Sequence, residues 1–129
     1  MKKILIVEDQ PDVLRLLEVV LRAEDRQVFL ADNGEEAVRI ARETRPAVIL
    51  MDVMLPGKID GYEATRLLKT DPATAGCAII IMTAKVQEQD RIDAFAAGAD
   101  DYIGKPFDLD DLKKRVETFL GGKNRQASR

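Results

Sequence analysis

The 129 residues include no histidine and no tryptophan. Without imidazole there can be no histidine-based catalytic triad, no His-ligated metal and no phosphohistidine carried by this chain. A single cysteine, Cys77, cannot form an internal disulfide, which fits a reducing compartment. It reads as a small residue near a strand start. No apolar run approaches the ~18–20 residues of a membrane span. The opening "MKKILIVEDQ" reaches acids at Glu8 and Asp9 too early for a signal peptide. The expectation is a cytoplasmic protein with no membrane partner. An excess of one charge is lacking too. Twenty basic residues face 23 acidic ones, for a net charge of −3, and the two signs are interspersed. With no basic stripe, direct nucleic-acid binding is not expected. Carboxylates, hydroxyls, lysine and a hard metal ion remain as chemical means.

What is present is a pattern. The length suits one domain, and 46% hydrophobic with 33% charged residues is ordinary for a globular chain. "KILIVED" is a β-rich run ending in acids. "PDVLRLLEVVLRAE" has Val13, Leu16, Leu17, Val20 and Leu21 at helical spacing, with Pro11 suited to a helix start. "QVFLA" reads as a strand, and "DNGEEAVRIARETR" as a helix with Ala37, Ile40 and Ala41 inward and Pro46 as its stop. "AVILM" is a third strand, and "DGYEATRLLKT" a third helix. After the loop "DPATAGC" comes "AIIIMTA", the most hydrophobic strand. "QEQDRIDAFAAGA" reads as a helix closed by Gly98, and "DYIGKP" as a short fifth strand. "DLDDLKKRVETFL" is the last helix, with Asp108 as N-cap and Asp111 three residues on. Five strands alternate with five helices. The strands lack polar alternation, which predicts an α/β fold with a doubly wound parallel sheet, helices on both faces.

Folds of this kind place their sites at the carboxyl ends of the strands, near the switch in strand order. Strand one ends in Glu8 and Asp9, strand three in Asp52, strand four in Thr83 and strand five in Lys105. Any one of these has an ordinary structural reading, such as a helix cap or an edge residue. Together they are harder to explain structurally. Two unit charges ~4 Å apart interact by about 4 kcal/mol at an effective dielectric of 20. Three uncompensated carboxylates would therefore be frustrated, and a divalent cation plus one lysine would relieve them. An oxygen-only ligand set suits Mg²⁺. A carboxylate such as Asp52 beside a cation and Lys105 is a reasonable phosphoryl acceptor.

The segments "ILIVEDQPDV", "VILMDVMLPG", "IIIMTA" and "GADDYIGKPFDLDDL", in this order, resemble the receiver domains of two-component response regulators. The resemblance covers residues 2 to about 120. It implies a CheY-like, flavodoxin-like (βα)5 sandwich with strand order 2-1-3-4-5 and five flanking helices. Residues 1–121 would form the receiver, and residues 122–129 a polar tail or the start of a linker. It further implies that Asp52 accepts a phosphoryl group from a sensor histidine kinase or a histidine phosphotransfer protein. Mg²⁺ would be held by Glu8, Asp9, Asp52 and the backbone carbonyl of Met54, with Asp9 the more direct ligand of the acidic pair. Thr83 would be the phosphate-binding and switch hydroxyl, Lys105 the phosphate-binding lysine ahead of a cis Pro106, and Tyr102 the switch aromatic. Such a domain is a switch rather than an enzyme in the ordinary sense, catalysing only its own phosphorylation and dephosphorylation. Its output would pass through the face of the fourth helix, fifth strand and fifth helix, to a downstream protein or to an output domain outside this chain. A homodimer through Arg91, Asp101 and Arg115 is a further expectation of that face.

The family usually has two residues between the proline after the phosphorylation site and the Asp-Gly that opens the third helix. Here Gly57, Lys58 and Ile59 intervene, so the loop beside the site is one residue longer. Met54 and Lys85 flank the approach of a hydrolytic water and offer it no base, so slow self-dephosphorylation is expected. Three other readings compete. A flavodoxin-like cofactor binder needs a Ser/Thr/Gly-rich loop after strand one, where this chain has "EDQPD". An aspartyl-nucleophile phosphatase needs a second acid two residues beyond the nucleophile, where this chain has Met54. A receiver that is never phosphorylated would be a binding module only, against which the complete residue set argues.

Overall fold

The computed structural model describes residues 1–84 and 87–121. Five strands and five helices alternate: β1 (Lys2–Val7), α1 (Pro11–Leu21), β2 (Arg26–Ala31), α2 (Gly34–Thr44), β3 (Val48–Asp52), α3 (Gly61–Thr70), β4 (Ala78–Thr83), α4 (Glu88–Ala96), β5 (Asp101–Gly104) and α5 (Leu109–Leu120). All neighbouring strands pair in parallel, in the order β2-β1-β3-β4-β5. The order reverses between β1 and β3, which opens a crevice at their carboxyl ends.

The purely apolar strands are explained by their two faces. In β3 and β4 every residue is buried. Successive side chains alternate between two separate cores. Leu5, Ile49, Met51, Ile79 and Ile81 pack with Ala37, Ala41, Ala64, Leu68 and Ala94 from α2, α3 and α4. Ile6, Leu50, Ile80 and Met82 pack with Leu17, Leu21, Leu112 and Val116 from α1 and α5. Small residues on the first set of helices let them lie close to the sheet.

Helix starts follow local chemistry. Asn33 accepts from the Glu36 N–H at 2.8 Å, and Asp60 accepts from that of Glu63 at 2.9 Å. Asp108 accepts from the amides of Asp110 at 2.8 Å and Asp111 at 3.3 Å. Each satisfies an otherwise unpaired first-turn N–H. α2 stops through Arg45 in the left-handed conformation (φ 49°), ahead of Pro46.

Three sequence expectations shift. In α1, Leu16 is 44% exposed, while Leu14 packs against the core in its place. Glu8 and Asp9 lie beyond β1, which ends at Val7, and β5 ends at Gly104 rather than running through Pro106. Among the described residues, no helix is long and apolar enough to cross a membrane. The expected tail, residues 122–129, lies outside the described residues.

Candidate phosphoryl and metal site

The crevice collects the residues singled out at the strand ends. Glu8 follows β1 and is fully buried; Asp9 beside it is exposed. Asp52, the last residue of β3, is 4% exposed, and Thr83, the last of β4, is buried as well. One carboxylate oxygen from each of Glu8, Asp9 and Asp52 can be chosen so that all lie within 4.8 Å of one another.

Lys105 closes the group from β5. Its Nζ donates to Glu8 Oε1 at 2.7 Å and lies 3.2 Å from Asp52 Oδ1. The ammonium therefore sits nearer Glu8 than Asp52, a pairing across 97 residues that spacing alone does not reveal. Its backbone is fastened to the end of β4. The Lys105 N–H donates to the Thr83 carbonyl at 2.7 Å, and the Lys105–Pro106 bond is cis, as expected.

Electrostatics separate the two buried carboxyls. Burial pushes Asp52 up, the neighbouring Glu8 charge adds to that, and Lys105 offsets only part; the result is about 6, against an ordinary 3.8. Burial also pushes Glu8 up. There, however, the hydrogen bonds from Lys105 and from the Gln10 amide outweigh it, and Glu8 is held below its ordinary value. Burial opposes the charge on Lys105, yet Glu8 and Asp52 together raise it. At neutral pH the group holds two buried anions against one half-buried cation, with Asp9 at the rim.

Both Glu8 oxygens are engaged, one by Lys105 and one by the Gln10 N–H at 3.2 Å. Asp9 has no hydrogen bond or ion pair among the described residues. Val53 donates its N–H to Met82, and its carbonyl accepts from Leu55 at 3.2 Å and Gly61 at 3.0 Å. The Leu55 bond makes an inverse γ-turn with Met54 at its centre. Met54 as a residue is 75% exposed. Oxygen donors, a surplus of negative charge and an uncommitted Asp9 are the properties a hard divalent cation requires, so these residues fit Mg²⁺.

Gly61 was not singled out in the sequence, though it decides the geometry. A Cβ there would lie 2.1 Å from the Asp52 carbonyl oxygen. Only glycine lets α3 begin against the backbone that carries Asp52. An Asp-Gly pair before a helical run was the available signal.

The proposed output face is also ordered. Tyr102 is half-buried, and its ring meets Phe95 edge-on, with centroids 6.0 Å apart and planes at 89°. Arg115 donates to Asp101 at 2.9 Å, to Asp111 and to the Tyr102 carbonyl, and Arg91 pairs with Glu88. The side chains considered for cross-dimer pairing are thus engaged within one chain. Lys85 lies outside the described residues.

Comparison with known proteins fits this geometry. The family model for "Response regulator receiver domain" matches residues 4–117. The chain belongs to the response regulator receiver family. PilH of Pseudomonas aeruginosa is 40% identical to this receiver over 122 residues, covering 95% of this chain and all of PilH. The transcriptional regulatory protein SrrA of Staphylococcus aureus is 41% identical over 118 residues, covering 92% of this chain but only 47% of SrrA. Among solved structures, the receiver domain of sensor histidine kinase PA1611 from P. aeruginosa superposes with a TM-score of 0.83 at 37% identity. That match covers 93% of this receiver and 98% of the other, which holds a magnesium ion coordinated in its active site cleft.

Proposed function

We propose that this receiver is a phosphorylation-operated switch in which Asp52 is the phosphoryl acceptor. The observation that carries the reading is the convergence of Glu8, Asp9 and Asp52 on one cleft with Lys105 bridging the two buried acids. Asp9 and Asp52, with the Met54 carbonyl, would hold Mg²⁺, and Glu8 would act from behind, since its oxygens are already occupied. When bound, the ion neutralises charge on phosphoryl oxygens. Of the buried acids, Asp52 is the one with less compensation, and at about 6 it is mostly ionised at neutral pH.

In the transfer, an Asp52 carboxylate oxygen attacks phosphorus. The O–P bond forms as the P–N bond of a donor phosphohistidine breaks, and the electron pair stays on the donor imidazole. The donor is external, since this chain has no histidine; a sensor histidine kinase or a histidine phosphotransfer protein fits. Lys105 follows the transferred group, exchanging part of its contact with Glu8 and Asp52 for phosphoryl oxygens. Thr83, one strand over, donates its hydroxyl to the same group. The phosphoryl adds about −1.5 to −2 charges beside Thr83. Movement of Thr83 toward it frees space for Tyr102, whose edge contact with Phe95 couples the change to α4. The α4-β5-α5 face then presents a second shape to a downstream protein or output domain. A few kcal/mol between the two shapes suffices for a population shift.

The test is intact mass after incubation with acetyl phosphate and Mg²⁺. A gain of one phosphoryl group that disappears with chelator is expected. Well-folded protein that gains nothing with Mg²⁺, from acetyl phosphate or from a phosphohistidine protein, would refute the switch reading.

A further inference from the structure

The β3–α3 loop carries Met54 at one end and is fastened to a different helix at the other. The Lys58 N–H donates to Glu35 Oε2, on the first turn of α2, at 3.0 Å. Among the described residues this is the only hydrogen bond from residues 54–59 to another element. The fit around it is close. Gly57 has φ +96°, and a Cβ there would come within 2.9 Å of the Glu35 carboxylate. Gly34 is buried, and a Cβ there would lie 2.6 Å from Ile59 Cγ1. Ile59 itself packs into the core on the α2 and α3 side. Gly57, Lys58 and Ile59 are the three residues of the lengthened loop, and Gly34 and Glu35 of α2 receive all three.

We infer that Glu35 is a positioning residue for the metal site: with Gly34 it docks the loop tip on α2 and so fixes where the Met54 carbonyl sits. The inference rests on the proposed phosphoryl switch, in which that carbonyl is a ligand. The base of the loop is held by Val53, through Met82 and Gly61. With the tip released, the turn centred on Met54 would be anchored on one side only. A ligand supplied by backbone depends on its loop more than a side-chain ligand does, because no rotamer can recover it. Partners that orient a ligand carry a measurable share of metal affinity. The role requires an acceptor oxygen at position 35, and it does not require a charge.

That distinction gives the experiment. Mg²⁺ affinity is measured by titration calorimetry for the wild type, Glu35→Ala and Glu35→Gln, and amide hydrogen exchange is followed across residues 53–61. The alanine variant is expected to bind Mg²⁺ about 3- to 10-fold more weakly, at or below the usual range for such partners, with faster exchange at Lys58. The glutamine variant keeps an acceptor and should stay within about twofold of the wild type, a margin smaller than that range. If alanine and glutamine weaken binding equally, Glu35 acts only through its charge and the positioning role is wrong. If neither variant changes affinity while wild type binds, the loop tether is irrelevant to the site. Failure of the wild type to bind Mg²⁺ at all would instead remove the proposed function, and this inference with it.

Discussion

Asp52 is stabilised less well than Glu8, the other buried carboxylate of the cleft, and that has a cost for folding. Its folded value of about 6 lies above the ordinary 3.8 of an unfolded chain. Between those values the folded protein holds a proton that the unfolded chain has released. Stability therefore falls as pH rises from about 4 to about 6 and stays lowered above that. A shift of this size corresponds to roughly 3 kcal/mol at most. Asp52→Asn removes the buried anion and leaves the Lys105–Glu8 pair in place. It should raise the unfolding free energy of the metal-free protein at pH 7.5 by on the order of 1–3 kcal/mol. The gain should shrink toward pH 4. Urea titrations at pH 4.5 and 7.5 would check this; an equal effect at both pH values would contradict it. The identity of the cleft residues was legible in the sequence because each stands at a strand's end. The division of labour among them was not. That Lys105 favours Glu8, and that Glu8 has no free oxygen while Asp9 does, depends on distances between segments far apart in the chain.

At the scale of elements, the strands were the most legible part, because a strand buried on both faces is an apolar run with no alternative. Helix faces were less so. α1 holds Val13, Leu14, Leu16, Leu17, Val19, Val20 and Leu21 in 11 residues, too many apolar positions for spacing to choose a face. The sheet buries Leu17 and Leu21, takes Leu14 against the edge of the core, and leaves Leu16 and Val19 outside. Close backbone approaches were harder still to read, and Gly61, marked in the sequence only by its Asp-Gly pair, is the sharpest case. Because the obstructing atom is the backbone carbonyl of Asp52, no side chain can rotate out of the way. Gly61→Ala should cost about 1–3 kcal/mol, the usual penalty of forced overpacking. It should also weaken Mg²⁺ binding, because α3 and the end of β3 must separate. Urea denaturation with calorimetric Mg²⁺ titration would measure both; wild-type values in each would show that the approach is not limiting.

At the scale of the whole molecule, the sheet gathers acids from β1 and β3 and a lysine from β5 onto one edge, and two cores hold that edge rigid. The excess of anions is tolerated rather than neutralised, which leaves the fold responsive to cations. Any ligand that binds only the folded state stabilises it, by about 2.7 kcal/mol at 100 times its dissociation constant. Saturating Mg²⁺ should therefore raise the melting temperature of the wild type and do much less for Asp9→Asn or Asp52→Asn. An equal shift in all three would mean that the ion binds elsewhere. The most direct measurement locates the phosphoryl group itself. Protein phosphorylated with acetyl phosphate and Mg²⁺ is digested under acidic conditions, and the peptide spanning β3 is sequenced by tandem mass spectrometry. The expected result is one phosphoryl on Asp52, with no modified peptide from Asp52→Asn. A phosphoryl group on Glu8, Asp9 or Thr83 in the wild type, with Asp52 unmodified, would contradict the assignment of Asp52 as acceptor.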